Sequence, residues 1–212
     1  MKKENHKLFL AAGLFLAVFV LWTVLLRFGD VKPIGPAGSV VGFATLNSYV
    51  HNLTGVHMAL YTLTDWLGLV PLGTAAGFGL LGLVQWIQRK QLAKVDRSIL
   101  VLGGFYGVTV AAFVFFEWCV INYRPVLIEG VLEASYPSST TLLVLCVMPT
   151  ALMQLRHRIR QPLLRDGISL LIVVFLLFMV ICRLVSGVHW VTDIVGGLLL
   201  SAGLVTLYRA LA

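Results

Sequence analysis

The chain has 212 residues, of which 59% are hydrophobic and only 12% are charged. Soluble domains carry about 25% charged residues, so this composition excludes a soluble globular domain and indicates an integral membrane protein. The net charge of +7 could suit a nucleic-acid-binding protein. The basic residues, however, gather between and beside apolar runs, as they do in membrane proteins, and no nucleic-acid partner is expected.

Six apolar runs have the length and character of membrane-spanning helices. In chain order they cover residues 8–26, 66–87, 98–116, 138–155, 167–182 and 194–208. The first run is longer than the apolar part of a signal peptide and lacks a small-residue cleavage site, so it is taken as a span. The sequence therefore predicts an all-α bundle of six transmembrane helices that forms a single membrane domain over residues 1–212.

The basic residues predict the orientation of this bundle. Because cytoplasmic loops are enriched in Lys and Arg, we expect both termini and the loops after the second and fourth spans to be cytoplasmic. Only Arg27, Lys32, Arg124 and Arg183 fall on the opposite, extracytoplasmic side. The other twelve of the 16 basic residues share the cytoplasmic side: Lys2, Lys3, Lys7, Arg89, Lys90, Lys94, Arg97, Arg156, Arg158, Arg160, Arg165 and Arg209. The expected location is a bacterial plasma membrane.

A long outer segment, residues 27–65, joins the first two spans. Connections of this length usually have structure of their own or a function. We expect one or two short helices lying in the membrane interface, with Trp66 as an aromatic anchor.

An ionisable cluster precedes the last span, with Arg183, His189 and Asp193 separated by the sequence Leu-Val-Ser-Gly-Val and by Trp-Val-Thr. Ionisable groups at membrane depth are costly, so they indicate a functional site. His189 and Asp193 are four residues apart, and on a helix the carboxylate could fix the tautomer of a nucleophilic imidazole. The guanidinium of Arg183 matches the oxygens of a phosphate. The cluster predicts phosphoryl transfer.

Two further outer segments carry polar residues on the same side of the membrane. One is Glu117 to Pro125, which contains Arg124, and the other is Tyr136-Pro-Ser-Ser-Thr-Thr. Ser138, Ser139 and Thr140 could cap the fourth span and offer backbone amides to a phosphate. Convergence of three such segments is what a catalytic site requires.

On these residues the chain resembles the type 2 phosphatidic acid phosphatase, or lipid phosphate phosphatase, family. The family pattern is a lysine followed after six residues by Arg-Pro, then Pro-Ser-Gly-His, then Ser-Arg, five residues, His, three residues and Asp. This chain matches it at Arg124-Pro125, Pro137-Ser138, Arg183, His189 and Asp193. The resemblance implies a six-helix bundle with a phosphate site at its outer end and a phosphoenzyme formed on His189.

The departures from the family pattern concern the phosphate cation and the general acid. Glu117 replaces the lysine, Ser139-Thr140 replace Gly-His, and Cys182 replaces the serine before Arg183. General acid catalysis contributes about 10²- to 10⁴-fold and matters most for a poor leaving group. A phosphate leaving group needs no proton at neutral pH, so this site favours a lipid pyrophosphate such as undecaprenyl pyrophosphate.

Glu117 and two outer histidines are candidate modulators. Glu117 lies seven residues before Arg124, about two turns along a continuing helix, and we expect it to pair with Arg124 or Arg183. If protonated it could instead donate the missing proton. His57 and His51 are the other candidates for that acid, although a histidine in a loop is more often incidental.

The sequence leaves alternative functions open. Arg124 and Arg183 could simply reach toward the interface, and Asp193 could pair with Arg183 structurally. The protein could then be a catalytically silent binder or transporter of lipid phosphates, or, with a lipid acceptor in place of water, a phosphotransferase. We expect a lipid phosphate or pyrophosphate substrate and the bilayer as partners, with no cofactor and no metal, since the arginines supply the charge.

Overall fold

The computed structural model describes the backbone of residues 2–212 and the side chains from residue 4 onward, so the side chains of Lys2 and Lys3 lie outside the described part. Within it, six helical segments are long and apolar enough to cross a membrane, which confirms the predicted all-α, six-span architecture. The helices are α1 (Lys2–Phe28), α2 (Ala44–Thr54), α3 (Met58–Leu67), α4 (Leu69–Arg89), α5 (Arg97–Trp118), α6 (Ser139–Arg158), α7 (Pro162–Val185) and α8 (Val191–Leu211).

The second span begins earlier than the sequence predicted. It runs over Met58–Arg89, 32 residues, and comprises α3 and α4 with an interruption at Gly68. Pro71 has no N–H to donate to the carbonyl of Leu67, which accounts for the break at this point. The prediction of a start at residue 66 was wrong because Asp65 interrupts the apolar run, although its side chain is exposed in the first part of the helical span.

Helices α6 and α8 occupy the centre of the bundle. Half of the apolar window of each is buried inside the protein, against 11–22% for the other four spans. Gly203 in α8 permits α1 to approach, because a Cβ atom there would lie 2.7 Å from a side-chain carbon of Leu16. The four spans that surround α6 and α8 expose large apolar side chains, as helices that face lipid do.

The outer segment between the first two spans contains one of the expected short helices, α2, together with a 3₁₀ turn at Pro36–Gly38. Its fully buried Asn47 donates from Nδ2 to the hydroxyl of Thr192, 3.0 Å away, and accepts from the Thr192 amide at 3.3 Å. Helix α2 is thereby fixed to the first turn of α8.

The loop between α5 and α6, residues 119–138, forms a hairpin that we call the outer hairpin. Its arms are joined by antiparallel bridges between Tyr123 and Ala134 and between Ile128 and Val131. A bridge of this kind places alternate residues on opposite faces. The outer hairpin lies over the start of α8, where it carries several buried polar side chains.

Candidate active site

The turn between α7 and α8 places His189 and Asp193 inside the end of the bundle at which α8 begins. Gly187 makes this turn with a φ of 67°, a left-handed conformation that favours glycine. A Cβ atom at this position would lie 1.9 Å from the carbonyl oxygen of Gly55, and the amide of His57 donates to the carbonyl of Ser186 at 2.9 Å. The segment before α3 therefore closes tightly over the turn.

The imidazole of His189 is enclosed, with a side chain that is only 1% exposed. Its Nε2 lies 3.4 Å from Nη1 of Arg124, and its Nδ1 lies 3.1 Å from the hydroxyl of Ser135. An arginine can only donate, so Nε2 is the nitrogen whose lone pair accepts, and the neutral ring carries its proton on Nδ1. This is the tautomer that a nucleophilic Nε2 requires.

Asp193 is fully buried and accepts three hydrogen bonds. Its Oδ2 accepts from the Ser135 hydroxyl at 2.5 Å and from the Trp190 amide at 2.9 Å, while Oδ1 accepts from Nδ2 of Asn122 at 3.3 Å. The bond from Trp190 caps the start of α8. The distance from Asp193 Oδ2 to Nδ1 of His189 is 3.8 Å, too long for a direct hydrogen bond.

Arg124 lies above His189 and is 7% exposed. Its Nε is 3.0 Å from Oε2 of Glu133, close enough for an ion pair but without the angles of a hydrogen bond, so that Nε–H has no hydrogen-bond partner in the described part of the chain. Arg124 and Glu133 line a polar pocket of about 520 Å³ at the outer surface, together with Glu117 and Ser139. The guanidinium of Arg124, which carries several N–H donors, therefore forms part of the pocket wall.

Arg183 is 1% exposed and is held by the second span. Its Nη1 donates to the hydroxyl of Thr64 at 3.0 Å, its Nη2 is 3.8 Å from Oδ1 of Asp65, and its Nε–H has no partner among the described residues. The guanidinium carbon lies 4.7 Å from the centre of the Tyr61 ring, and that of Arg124 lies 5.7 Å from the same ring. Tyr61 thus brings the two arginines to one place.

The two arginines and the burial of the site change the pKa of His189. Its burial, and then the charges of Arg124 and Arg183, hold the pKa of His189 well below its ordinary value of 6.5. The imidazole is therefore neutral at physiological pH, with its Nε2 lone pair facing a concentration of positive charge. Such a place suits an anion that can accept from both guanidinium groups.

The Ser138–Thr140 segment has two different parts. Ser138 is fully buried, its amide donates to the Asp193 carbonyl at 3.1 Å, and its hydroxyl accepts from the amide of Thr141 at 3.5 Å as the cap of α6. The amide and the hydroxyl oxygen of Ser138 thus each have a partner inside the protein. Ser139 lines the polar pocket, and both Ser139 and Thr140 line an adjacent groove of about 410 Å³.

The expected ion pair of Glu117 is not formed among the described residues. Helix α5 ends at Trp118, so no continuous helix connects Glu117 to Arg124, and Arg124 and Arg183 take Glu133 and Asp65 as their carboxylate partners instead. Glu117 remains beside them in the wall of the polar pocket.

The two outer histidines lie near the turn that carries His189. His57 is exposed, and its Nε2 is 2.9 Å from the carbonyl of Thr54. The ring of His51 lies 5.4 Å from that of Trp190, and partial burial lowers the pKa of His51. In the described structure neither ring forms a hydrogen bond with His189, whose ring nitrogens have Arg124 and Ser135 as partners.

Four residues of the site belong to none of the motifs in the sequence. Ser135 and Asn122 come from the two arms of the outer hairpin, and Tyr61 and Thr64 come from the first turns of the second span. Asn122 lies two residues before Arg124 and Ser135 two residues before Pro137, a period of two beside each recognised motif. This spacing is the feature of the sequence that could have indicated the two hairpin residues.

In the described part of the chain, no group of three or more His, Cys, Asp or Glu side chains could hold a metal ion.

Comparison with known proteins gave one family and one informative structure. The PAP2 superfamily matches residues 105–212, about half of the chain. The crystal structure of the first transmembrane PAP2 type phosphatidylglycerolphosphate phosphatase from Bacillus subtilis aligns with a TM-score of 0.54 and 19% identity, over 94% of each chain. At this identity the likeness shows a shared fold. A search of curated protein sequences found no match.

Proposed function

The chain belongs to the PAP2 superfamily, and from this premise we propose that it is a membrane lipid phosphatase or diphosphatase that acts through a phosphohistidine on His189. The observation that carries the proposal is that Arg124 lies against Nε2 of a buried, neutral histidine and shares the Tyr61 ring with the buried Arg183. Within residues 4–212, Arg124 and Arg183 each keep an Nε–H without a hydrogen-bond partner. Unsatisfied buried donors are costly, and a bound phosphate would satisfy them.

In the proposed reaction the lone pair of His189 Nε2 attacks phosphorus in line with the bond to the leaving oxygen. That P–O bond breaks, and its electron pair leaves with the lipid phosphate or the lipid oxygen. Arg124 and Arg183 stabilise the charge that develops on the transferring group. Water then attacks the phosphohistidine, the electron pair of the P–N bond returns to Nε2, and inorganic phosphate departs.

A lipid substrate is supported by the groove next to the polar pocket. The groove is bounded by the second, third and fourth spans, with apolar residues such as Leu69, Leu72 and Leu143 along it. Phe113 and Ser139 line both spaces, so the polar pocket and the groove are neighbours. A headgroup phosphate near Arg124 could therefore continue into an apolar chain at membrane depth. By the distribution of basic residues, the site faces the extracytoplasmic side.

The preferred leaving group follows from Thr140, which stands where the family has a histidine. Without that acid, a polyprenyl pyrophosphate should be cleaved faster than the matched monophosphate or phosphatidic acid, because a phosphate leaving group is stable without a proton at neutral pH. Thr140→His should narrow the difference by raising monoester hydrolysis. Equal wild-type rates on both substrates would contradict this preference. Glu117 would then be the first residue to test as the proton donor.

The test is phosphate release by the purified protein over a panel of lipid monophosphates and pyrophosphates. His189→Ala should abolish turnover, whereas His157→Ala, at the cytoplasmic end of α6, should not change it. Turnover that survives in His189→Ala would refute the proposed nucleophile. Binding of the lipids without turnover by the wild type would support the silent binder, and transfer of phosphate to an added lipid would support the phosphotransferase.

A further inference from the structure

We propose that Ser135 is a positioning residue of the phosphatase site, whose hydroxyl links Nδ1 of His189 to the Asp193 carboxylate and holds the imidazole in its reactive tautomer. The inference rests on the proposed function, since it concerns how the same histidine is prepared for attack. It departs from the simpler expectation that the carboxylate contacts the imidazole directly.

The geometry places the serine between the two partners. Ser135 Oγ is 3.1 Å from His189 Nδ1 and 2.5 Å from Asp193 Oδ2, whereas the direct distance between nitrogen and carboxylate is 3.8 Å. Ser135 is 3% exposed, so water does not compete for these positions. A hydroxyl that both accepts and donates can bridge this gap, which a direct bond cannot.

The direction of each hydrogen bond follows from the donors present. Arg124 can only donate to Nε2, so the proton of the neutral ring is on Nδ1. Nδ1–H then donates to Ser135 Oγ, and the single hydroxyl hydrogen of Ser135 is left to donate to Asp193. The chain of bonds ends on Oδ2 of Asp193, which accepts from the Ser135 hydroxyl and also from the Trp190 amide.

The outer hairpin holds both ends of the imidazole. The Ser135 amide donates to the carbonyl of Asn122 at 2.9 Å, and the Arg124 amide donates to the carbonyl of Glu133 at 3.1 Å. One arm therefore supplies Arg124 to Nε2, and the other supplies Ser135 to Nδ1. The two arms fix the ring from opposite sides, and the hairpin register determines which nitrogen faces the phosphate.

During phosphoryl transfer this link moves no proton. Nε2 forms its bond to phosphorus, the leaving oxygen keeps the electron pair of the broken bond, and the ring becomes cationic with its proton still on Nδ1. Ser135 retains its own hydrogen and stabilises the cationic ring through the bond to Asp193. Hydrolysis of the P–N bond returns the ring to its neutral form.

The first test compares Ser135→Ala with the control Ser201→Ala, which removes another buried serine hydroxyl, one that donates to the carbonyl of Gly197 at 2.6 Å. Loss of one hydrogen bond to a charged system predicts a kcat about 10- to 100-fold lower for Ser135→Ala with little change in KM. The acid limb of kcat/KM should also move to lower pH, because imidazolium loses the acceptor of Nδ1–H. Ser201→Ala should do neither.

The second test measures coupling and controls for folding. If Ser135 acts through Asp193, then Ser135→Ala in an Asp193→Asn background should cause less than about a threefold further loss. Ser135→Thr and Ser135→Val have nearly the same shape, and only the threonine keeps the hydroxyl. We expect the threonine variant to be at least about tenfold more active than the valine variant.

The outcomes separate this proposal from the proposed function. Equal activities of the threonine and valine variants, an unmoved acid limb in Ser135→Ala, or losses that multiply with Asp193→Asn would each overturn the role of Ser135 while His189-dependent turnover stands. If the wild type shows no His189-dependent turnover, the proposed function fails, and the role of Ser135 in it fails as well.

Discussion

Neutralising Glu133 should strengthen the binding of substrate phosphate. Glu133 Oε2 lies 3.0 Å from Nε of Arg124, where a phosphate oxygen would bind, so the carboxylate competes for the guanidinium and repels the incoming anion. Two unit charges about 5 Å apart repel by about 1 kcal/mol in water and about 3 kcal/mol at an effective dielectric constant near 20. The side chain of Glu133 is 40% exposed, which favours the lower value. Glu133→Gln should therefore lower KM about fivefold.

The assay is steady-state hydrolysis of a lipid pyrophosphate in mixed micelles at two ionic strengths. Glu129→Gln is the matched control, because it removes an exposed carboxylate from the same hairpin that, among the described residues, forms no ion pair with Arg124. The advantage of Glu133→Gln should shrink at high salt, as screening predicts. A higher KM for Glu133→Gln would show that Glu133 positions Arg124 for binding and would refute the competition.

Three further expectations can be measured on the same protein. Because the lowered pKa of His189 keeps its imidazole neutral, the acid limb of kcat/KM should lie well below pH 6.5 in a pH–rate profile, and a limb near the ordinary value would contradict the enclosed site. Gly187→Ala should lower the unfolding temperature more than Gly130→Ala, since both have positive φ but only the Cβ at position 187 meets backbone, at 1.9 Å; equal shifts would contradict this. In a background without native cysteines, Glu129→Cys should react with an impermeant label from outside and Lys90→Cys only from the cytoplasm, and the reverse would place the site on the other face.

The sequence was sufficient for the architecture because apolar length alone identifies a span. All six spans and the family resemblance were predicted correctly, and the family match confirms the latter. The start of the second span was missed because hydropathy treats Asp65 as a break. In the structure this carboxylate sits at an exposed position on a helix that continues through it, near a buried arginine.

The partners of the site residues were harder to predict than the residues themselves. Arg124, Arg183, His189 and Asp193 stand at motif positions that local spacing reveals. Ser135 reaches His189 only through the pairing of two hairpin arms, and no spacing along one arm determines how it pairs with the other. The pairing expected for Glu117 failed for a different reason, because it assumed that a helix continued past Trp118.

The outer hairpin also determines where this protein can vary in length. Shifting one arm by a single residue would turn Arg124 or Ser135 to the opposite face and leave one imidazole nitrogen without its partner. The tip at Glu129 and Gly130 is exposed and lies beyond the last bridge, so residues added there leave the pairing of the arms unchanged. We therefore expect this chain to accept a longer segment between Arg124-Pro125 and Pro137-Ser138 while keeping the same site. The same tip is the natural place to insert an epitope for purification or a recognition element for a partner.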